Sequence, residues 1–460
     1  MNVLTRLREA TEGSQYEGRL YLVGGVVRDK VMGLPQLFGG PSEPEDIDIV
    51  LEGDAAELAS FLHEKGLAEH YPVIYPKFGT AMVTVDGVQV ELVSARAESY
   101  QPHSRKPEVR LASLRDDILR RDFTINTLLE NLHTGETLDL LECARADIAR
   151  GIIRAPAAPE AAFDDDPLRM LRAVRFAARF GFSIEQGTYD AIKREVGRLS
   201  IVSKERIRDE LTKILASPNA AKGLELLLET GLLSQFAPEL AAMSGVGQNI
   251  YHLYDCWTHT LKVIEELPPD SGLLLRLAAL FHDVGKPETR TTDEQSGVHF
   301  YGHQSIGADI TRRVMGRLRF SNEQTDRVSK IVSMHLRVGE YDSGWSDAAI
   351  RRLIRDAGDL LPDLVTLTAA DKAASNTEMP SVDLDEFQRR VDAVLAVADV
   401  AAMKSPLDGK EIMDLLGAPP GPALREAKDF LTNEVIEGRL APGDKTAAGK
   451  LLLERFGQGQ

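Results

Sequence analysis

The chain has 460 residues, is 43% hydrophobic, 27% charged and 6% aromatic, and so has the composition of a globular protein of about two to four domains. A formal net charge of −17 argues against a generic nucleic-acid binder, which leaves a local basic surface as the only route to one. No apolar run reaches the length of about eighteen residues that a membrane span needs, the opening MNVLTRLREATEGS has no signal-peptide core, and Cys143 and Cys256 stand apart outside any CxxC, so a cytoplasmic chain with reduced thiols and no membrane partner is expected.

The first ~150 residues read as α/β: the apolar runs YLVGGV, DIDIVLE, TAMVTV and VQVELV predict strands, and AAELASFLHEKG predicts a helix between them. The first predicted strand runs into Gly24-Gly25, where the backbone can approach a phosphate closely, and Arg28 follows with charge for a triphosphate. Next come Asp46 and Asp48, at i and i+2 of a strand and therefore on one face. Paired carboxylates repel, and a hard divalent ion relieves the repulsion; Mg²⁺ takes one or two carboxylates plus substrate phosphates, and two such ions can activate a hydroxyl and stabilise leaving pyrophosphate. Glu91 is a candidate third carboxylate or simply the exposed side of an alternating strand. In Arg120-Arg121-Asp122-Phe123-Thr124-Ile125-Asn126 the arginines suit phosphates, and Asp122 and Asn126 suit ribose hydroxyls; alone, the stretch equally fits a charged helix N-terminus.

Past the stretch RAPAAPEAAF the texture becomes helical, as in PLRMLRAVRFAARFGF and ERIRDELTKILAS. Asp166, Arg169, Arg172 and Arg175 recur every three residues, which on a helix makes Asp166 and Arg169 neighbours able to match the Watson–Crick edge of a base, or to form an ordinary ion pair. From Arg169 to Lys213 eleven Lys/Arg face six Asp/Glu, a local basic stretch that either meets phosphates or is a solvated surface.

GGVVRD, DIDIV, RRDFTIN and DDDPLRMLRAVRFAARFGF, in this order over roughly the first 240 residues, resemble the class II nucleotidyltransferases, the family of CCA-adding, CC-adding and A-adding enzymes and bacterial poly(A) polymerases. The resemblance implies an α+β fold, with a polymerase-β-like head of mixed sheet and helices followed by all-α domains. It also implies tRNA, CTP and ATP as partners, Mg²⁺ as cofactor, Asp46 and Asp48 as catalytic residues, and Asp166 with Arg169 selecting the nucleotide while Arg172 and Arg175 lie near it. The chain departs from the family pattern in four places. Sixteen residues, Lys30 to Glu45, separate the two first motifs; Thr127-Leu128 replaces Ala-Met; Asp165 stands where many members have Glu; and Asp139 to Asp147 lacks the glycine of a hinge-like motif that helps the site change from C to A. The retained loop ARAESYQPHSRKPEV points the other way, towards more than CC addition, so CCA, CC, A and poly(A) products all stay open.

Beyond SGVGQN, near residue 245, the chain carries His259, His282-Asp283, His303, His335 and Asp371 in a helical region. This H…HD…H…H…D order resembles the HD-domain phosphohydrolases, in which the first His, the HD pair and the last Asp bind a metal and extra histidines permit a second. The resemblance implies a divalent transition metal or Mg²⁺ and hydrolysis of a phosphoester by metal-activated water. Lys286 is a phosphate contact or a solvated lysine. The expected domains are a head at 1–155, a helical neck at 156–245, an HD domain at 246–380 and a helical tail at 381–460, with a homodimer allowed.

Overall fold

The computed structural model describes residues 2–34, 46–99, 108–293, 297–376, 378–397, 403–417 and 419–457, with the side chains at 46, 97–99 and 108–110 outside the description. Most of the spacer between the first two motifs and the middle of the ARAESYQPHSRKPEV loop therefore lie outside the described residues, as does the side chain of Asp46. The chain forms two compact units, Met1–Ala241 and Ala242–Gln460.

The first unit is built on β1 (Leu20–Val23), β2 (Asp46–Leu51), β3 (Val73–Tyr75), β4 (Thr80–Val85), β5 (Val88–Ser94), a separate hairpin of β6 (Arg96–Ser99) and β7 (Glu108–Leu111), then β8 (Leu129–Asn131) and β9 (Thr137–Leu138). Seven of these make one mixed sheet in the order β3-β4-β5-β2-β1-β8-β9. Within this sheet, among the described residues, β2 and β5 are the one parallel pair, with Asp48 opposite Glu91, and the helix Ala55–Glu64 lies in the connection between them. The runs expected as strands correspond to β1, β2, β4 and β5, and AAELASFLHEKG is the helix expected.

Strand alternation separates the two faces of this sheet. Ile47, Ile49, Val90, Leu92, Ala81 and Val83 are all buried, and the Ala55–Glu64 helix, whose own Leu58, Ala59 and Leu62 are buried, packs on β4 and β5. The opposite face carries Asp48 and Glu91, both half-buried, and continues to Met82 on β4 and Val73 on β3.

Helices follow. Leu168–Phe180 buries Leu168, Met170, Leu171, Val174 and Phe176, and ends at Gly181, whose φ of 72° suits a residue without Cβ. Asp166 is not part of this helix. It caps the preceding helix, Pro159–Asp165, in an extended conformation, because Pro167 disfavours helical backbone in the residue before it. The helical spacing expected of Asp166 and Arg169 therefore does not hold. The stretch Arg120–Asn126 is no helix N-terminus either: Arg120 ends the short helix Leu114–Leu119 and Thr124–Asn126 forms a 3₁₀ turn.

The second unit is helical, with Cys256–Glu266, Leu273–Phe281, His303–Arg317, Asn322–Met334 and Leu361–Ala374 forming its first half. Gly409–Leu416, Pro422–Ile436 and Lys445–Phe456 gather around a small core of Ile412, Leu431 and Leu452. The two cysteines are free. Head of mixed sheet, then helices broken only by short strand pairs among the described residues (Ile152–Ile153 with Ser183–Ile184, Thr291–Asp293 with Gly297–His299), is the α+β architecture expected. No helix among the described residues is long and apolar enough to cross a membrane.

Candidate active and metal sites

In the first unit β1 delivers Gly24 with φ 78° and ψ −136°, a conformation that favours glycine. A Cβ placed there would lie 3.6 Å from an Asp48 carboxylate oxygen and 4.0 Å from the Arg121 guanidinium. Gly24, Asp48, Glu91 and Arg121 thus converge, and Asp46 stands two residues before Asp48 on the same strand. Arg121 is held by Asp117, with Nη2 3.0 Å from Oδ2, and Arg120 binds the other oxygen of the same carboxylate at 2.5 Å. Asp117 is fully buried, so it anchors both arginines from below.

A second network lies behind this one. Arg28 is buried, donates to Asp29 at 2.7 Å and to Asn126 at 2.7 Å, and stacks over the Phe180 ring at 4.7 Å. The Gly25 backbone approaches it so closely that a Cβ would sit 3.4 Å from Arg28 Nη2. Asp122 accepts from the Phe123 amide at 2.8 Å, from Asn126 at 2.9 Å, and from Arg172 at 2.9 and 2.5 Å. Those bonds occupy the four lone-pair directions of a carboxylate. Burial opposes its ionisation, but Arg172 and Asn126 outweigh that and hold the Asp122 carboxyl below its ordinary value. Asp122 and Asn126 therefore bind protein groups here and orient Arg28 and Arg172, where ribose contacts were expected.

The other base-reading candidates also have protein partners. Asp166 pairs with Arg206 at 2.7 Å. Arg169 donates to the Arg120 carbonyl at 2.6 Å and to Ala162 at 3.3 Å. Arg175 pairs with buried Glu210 at 2.8 Å. Asp166 and Arg169 are joined only through the backbone, from the Arg169 amide to the Asp166 carbonyl. The basic stretch fares similarly: Arg172, Arg175, Arg179, Arg194, Arg198, Arg206 and Arg208 are each ion-paired. The local positive excess is thereby largely neutralised.

The second unit brings all six expected ligands together. His259, His282 and Asp371 offer ligand atoms within 4.8 Å of one another, and so do Asp283, His303 and His335. Asp283 joins the two sets, its Oδ2 lying 3.3 Å from His282 Nε2 and its Oδ1 3.5 Å from His303 Nε2. Three ring orientations are fixed locally. Nδ1 of His282, His303 and His335 lies 2.7, 2.8 and 2.7 Å from the carbonyls of Ala279, Phe300 and Val332, three residues upstream in each case. A carbonyl only accepts, so Nδ1 carries the proton and the Nε2 lone pairs point inward.

Those inward nitrogens are poorly served by protein. His282 Nε2 and both ring nitrogens of His259 are buried without a hydrogen-bond partner among the described residues. His259 Nε2 does lie 2.9 Å from Asp371 Oδ1, close enough to help hold that carboxyl below its ordinary value despite its burial. His303 and His335 bring their Nε2 atoms to 3.3 Å, where two lone pairs repel. Burial, reinforced by His282, pushes His335 down to about 3, so it stays neutral near pH 7. Buried lone pairs converging with two carboxylates fit a divalent cation better than they fit each other.

Lys286 is buried, contrary to a solvated lysine, with its ammonium 2.7 Å from Asp283 and 2.6 Å from Gln248. Gln248 and His252, whose ring lies 4.6 Å from that of His259, belong to this site and were not foreseen. His252 stands outside the five-segment ligand pattern, and the only cue was its place seven residues before His259. Gly285 holds the turn against the next helix: a Cβ there would come within 2.2 Å of the His303 carbonyl.

A mixed sheet with Asp48 and Glu91 beside a glycine turn, followed by helices that gather histidines and aspartates, is the arrangement of a nucleotidyltransferase head joined to an HD domain. Family models agree: Poly A polymerase head domain matches residues 20–154, Probable RNA and SrmB-binding site of polymerase A matches 181–243, and HD domain matches 249–376. The chain is 38% identical over 350 residues to the CC-adding tRNA nucleotidyltransferase of Thermus thermophilus, covering 74% of this chain and 77% of that protein. It is 36% identical over 327 residues to the A-adding tRNA nucleotidyltransferase of Deinococcus radiodurans, covering 68% and 73%. Among solved structures, that of the Bacillus stearothermophilus CCA-adding enzyme in complex with CTP matches with a TM-score of 0.67 at 23% identity, covering 98% of this chain and 96% of that one, which establishes a shared fold. The chain belongs to the tRNA nucleotidyltransferase family.

Proposed function

We propose that the chain adds CMP, AMP or both, from CTP and ATP, to the 3′ end of tRNA, as the whole or one part of CCA addition. The observation that carries this is the convergence of Asp48, Glu91, Gly24 and Arg121 on one open sheet face. Asp46, Asp48 and Glu91 hold Mg²⁺, which supplies charge for the phosphates and the leaving pyrophosphate. Arg121, steadied by Asp117, neutralises triphosphate charge, and the Gly24 turn lets the backbone approach it. Asp122 and Asn126 act by orienting Arg28 and Arg172. Asp166 and Arg169 read the base after exchanging the protein partners they have here, Arg206 and the Arg120 carbonyl, for the nucleotide. Catalysis on this plan is positioning plus charge stabilisation. The head at 1–155 and the neck at 156–245 carry this chemistry.

The test gives purified protein tRNA transcripts ending before CCA, after C and after CC, with CTP, ATP or both, and maps products at single-nucleotide resolution. Growth of all three to CCA identifies a complete enzyme; arrest at CC, or action only on the CC-ended transcript, identifies half of a split pathway. A homopolymeric tail from ATP alone indicates poly(A) synthesis, and no extension at all overturns the reading.

A second activity rests on the metal centre. Domain 246–380 hydrolyses a phosphoester with a water activated at Asp283 and its histidines, with a divalent transition metal or Mg²⁺ as cofactor and Lys286 beside Asp283 to meet phosphate. His282→Ala and Asp283→Ala abolish phosphatase activity and spare nucleotide addition; loss of both activities, measured on the same preparations, assigns the centre a structural role instead.

A further inference from the structure

The open face of the head sheet does not stop at the carboxylates. In register, Asp48 on β2 is opposite Glu91 on β5, Glu91 is opposite Met82 on β4, and Met82 is opposite Val73 on β3. The next row of the same face runs Val50, Val93, Thr80, Tyr75. Directly opposed residues share a face, so Val73 and Tyr75 lie on the face that carries Asp48 and Glu91. Three strand spacings separate them, about 14 Å.

Burial falls along these rows. Val50 and Val93 are buried, whereas Val73 is 51% exposed and Tyr75 44%. Tyr71 and Phe78, flanking β3, are 74% and 49% exposed, and Lys77 between them is exposed too. Tyr71 packs edge-on against His63 of the Ala55–Glu64 helix, which leaves Tyr75 and Phe78 as two exposed rings within four residues at one sheet edge. The turn after β3 is fixed: Arg96 donates to the Phe78 carbonyl, and Gly79 takes φ 59°. The rings are therefore carried by a defined piece of backbone.

We propose that Tyr75 and Phe78 are a stacking platform for unpaired bases at the 3′ end of the acceptor RNA, a few nucleotides upstream of the hydroxyl that Asp48 and Glu91 activate. The proposal rests on the nucleotidyltransferase reading above. Aromatic faces bind any base, which suits an end whose sequence changes as it grows. Lys77 adds a cation for the backbone phosphate. A protein strand added to the β3 edge is the weaker occupant, because Pro76 ends the strand and offers no ladder donor. The platform positions the primer; it touches no reacting atom.

The test compares wild type with Tyr75→Ala/Phe78→Ala and with the conservative Tyr75→Phe, using a tRNA transcript lacking its 3′ end and a stem of the same sequence cut blunt. One stacked base lost per ring, at about 1–3 kcal/mol each, corresponds to roughly 5- to 150-fold in RNA affinity for each ring removed. The expected result is a rise of at least about fivefold in the KM for RNA, an unchanged KM for the nucleotide, near-wild-type behaviour of Tyr75→Phe, and a loss of affinity by fluorescence anisotropy confined to RNA with an unpaired end. Equal affinities in all variants overturn the proposal and leave the edge to a protein partner. Equal losses for tailed and blunt RNA, or a parallel rise in both KM values, also overturn it, as a general structural effect. If wild type extends no RNA, the nucleotidyltransferase reading fails, and the anisotropy comparison judges the platform separately.

Discussion

The two candidate sites meet the same difficulty, buried or crowded charge, in opposite ways. In the head, charged side chains satisfy one another: Arg28 with Asp29 and Asn126, Asp122 with Arg172, Asp117 with Arg120 and Arg121. In the second unit, histidines face Asp283 and each other, with Nε2 atoms at 3.3 Å and others without a partner. The first network balances its own charges and leaves the Asp48 and Glu91 carboxylates side by side for an ion that comes and goes with its substrate. The second is incomplete on its own and calls for a resident cation. Transient and permanent ligands leave different marks on the protein groups around them.

Metal removal tests that difference most severely. Chelation should leave the head transition in a calorimetric scan unchanged and lower that of the second unit; a cation held at a hundred times its Kd contributes about 2.7 kcal/mol. Equal shifts in both transitions would erase the distinction. A catalytic version follows from Asp48. Asp48→Asn should cost at least about a hundredfold in nucleotide addition, several kcal/mol of charge stabilisation, while head stability holds or rises because repulsion with Glu91 is relieved. A drop in melting temperature matching the loss of rate would count against a catalytic Asp48. Gly285→Ala changes no ligand yet forces the turn from the His303 carbonyl; about 1–3 kcal/mol of second-unit stability should go, with reduced bound metal by elemental analysis and unaltered nucleotide addition. The smallest effect is in the head. Glu142 has φ 59° within the segment lacking the expected glycine, so Glu142→Gly should stabilise by about 0.5 kcal/mol in chemical denaturation.

The sequence made the two sites legible to different degrees. Strand period and helical period exposed β1, β2, β4 and β5 and the histidine helices, and the HD order marked the six candidate ligands that the structure brings together, because ligand chemistry restricts residue type at each position. What escaped was what depends on distant partners. Asp29, Asp122, Glu160, Asp164 and Asp166 neutralise arginines of the 169–213 stretch, and a charge count within that window cannot see partners outside it. Asp166 was misread for a nearer reason, since its period of three ran through Pro167. Lys286 stays open between phosphate contact and solvent in the sequence because one of its hydrogen-bond partners, Gln248, lies 38 residues earlier.

The carbonyls that hold His282, His303 and His335 each come from three residues upstream on the same stretch of chain. Tautomer and ring direction are thus set before distant parts of the chain meet. Assembly of the centre then becomes a matter of docking prealigned donors, with Asp371 supplied by the separate helix Leu361–Ala374. Exchange of one metal for another should therefore be governed by opening of the Leu361–Ala374 helix, not by rotation of the histidines.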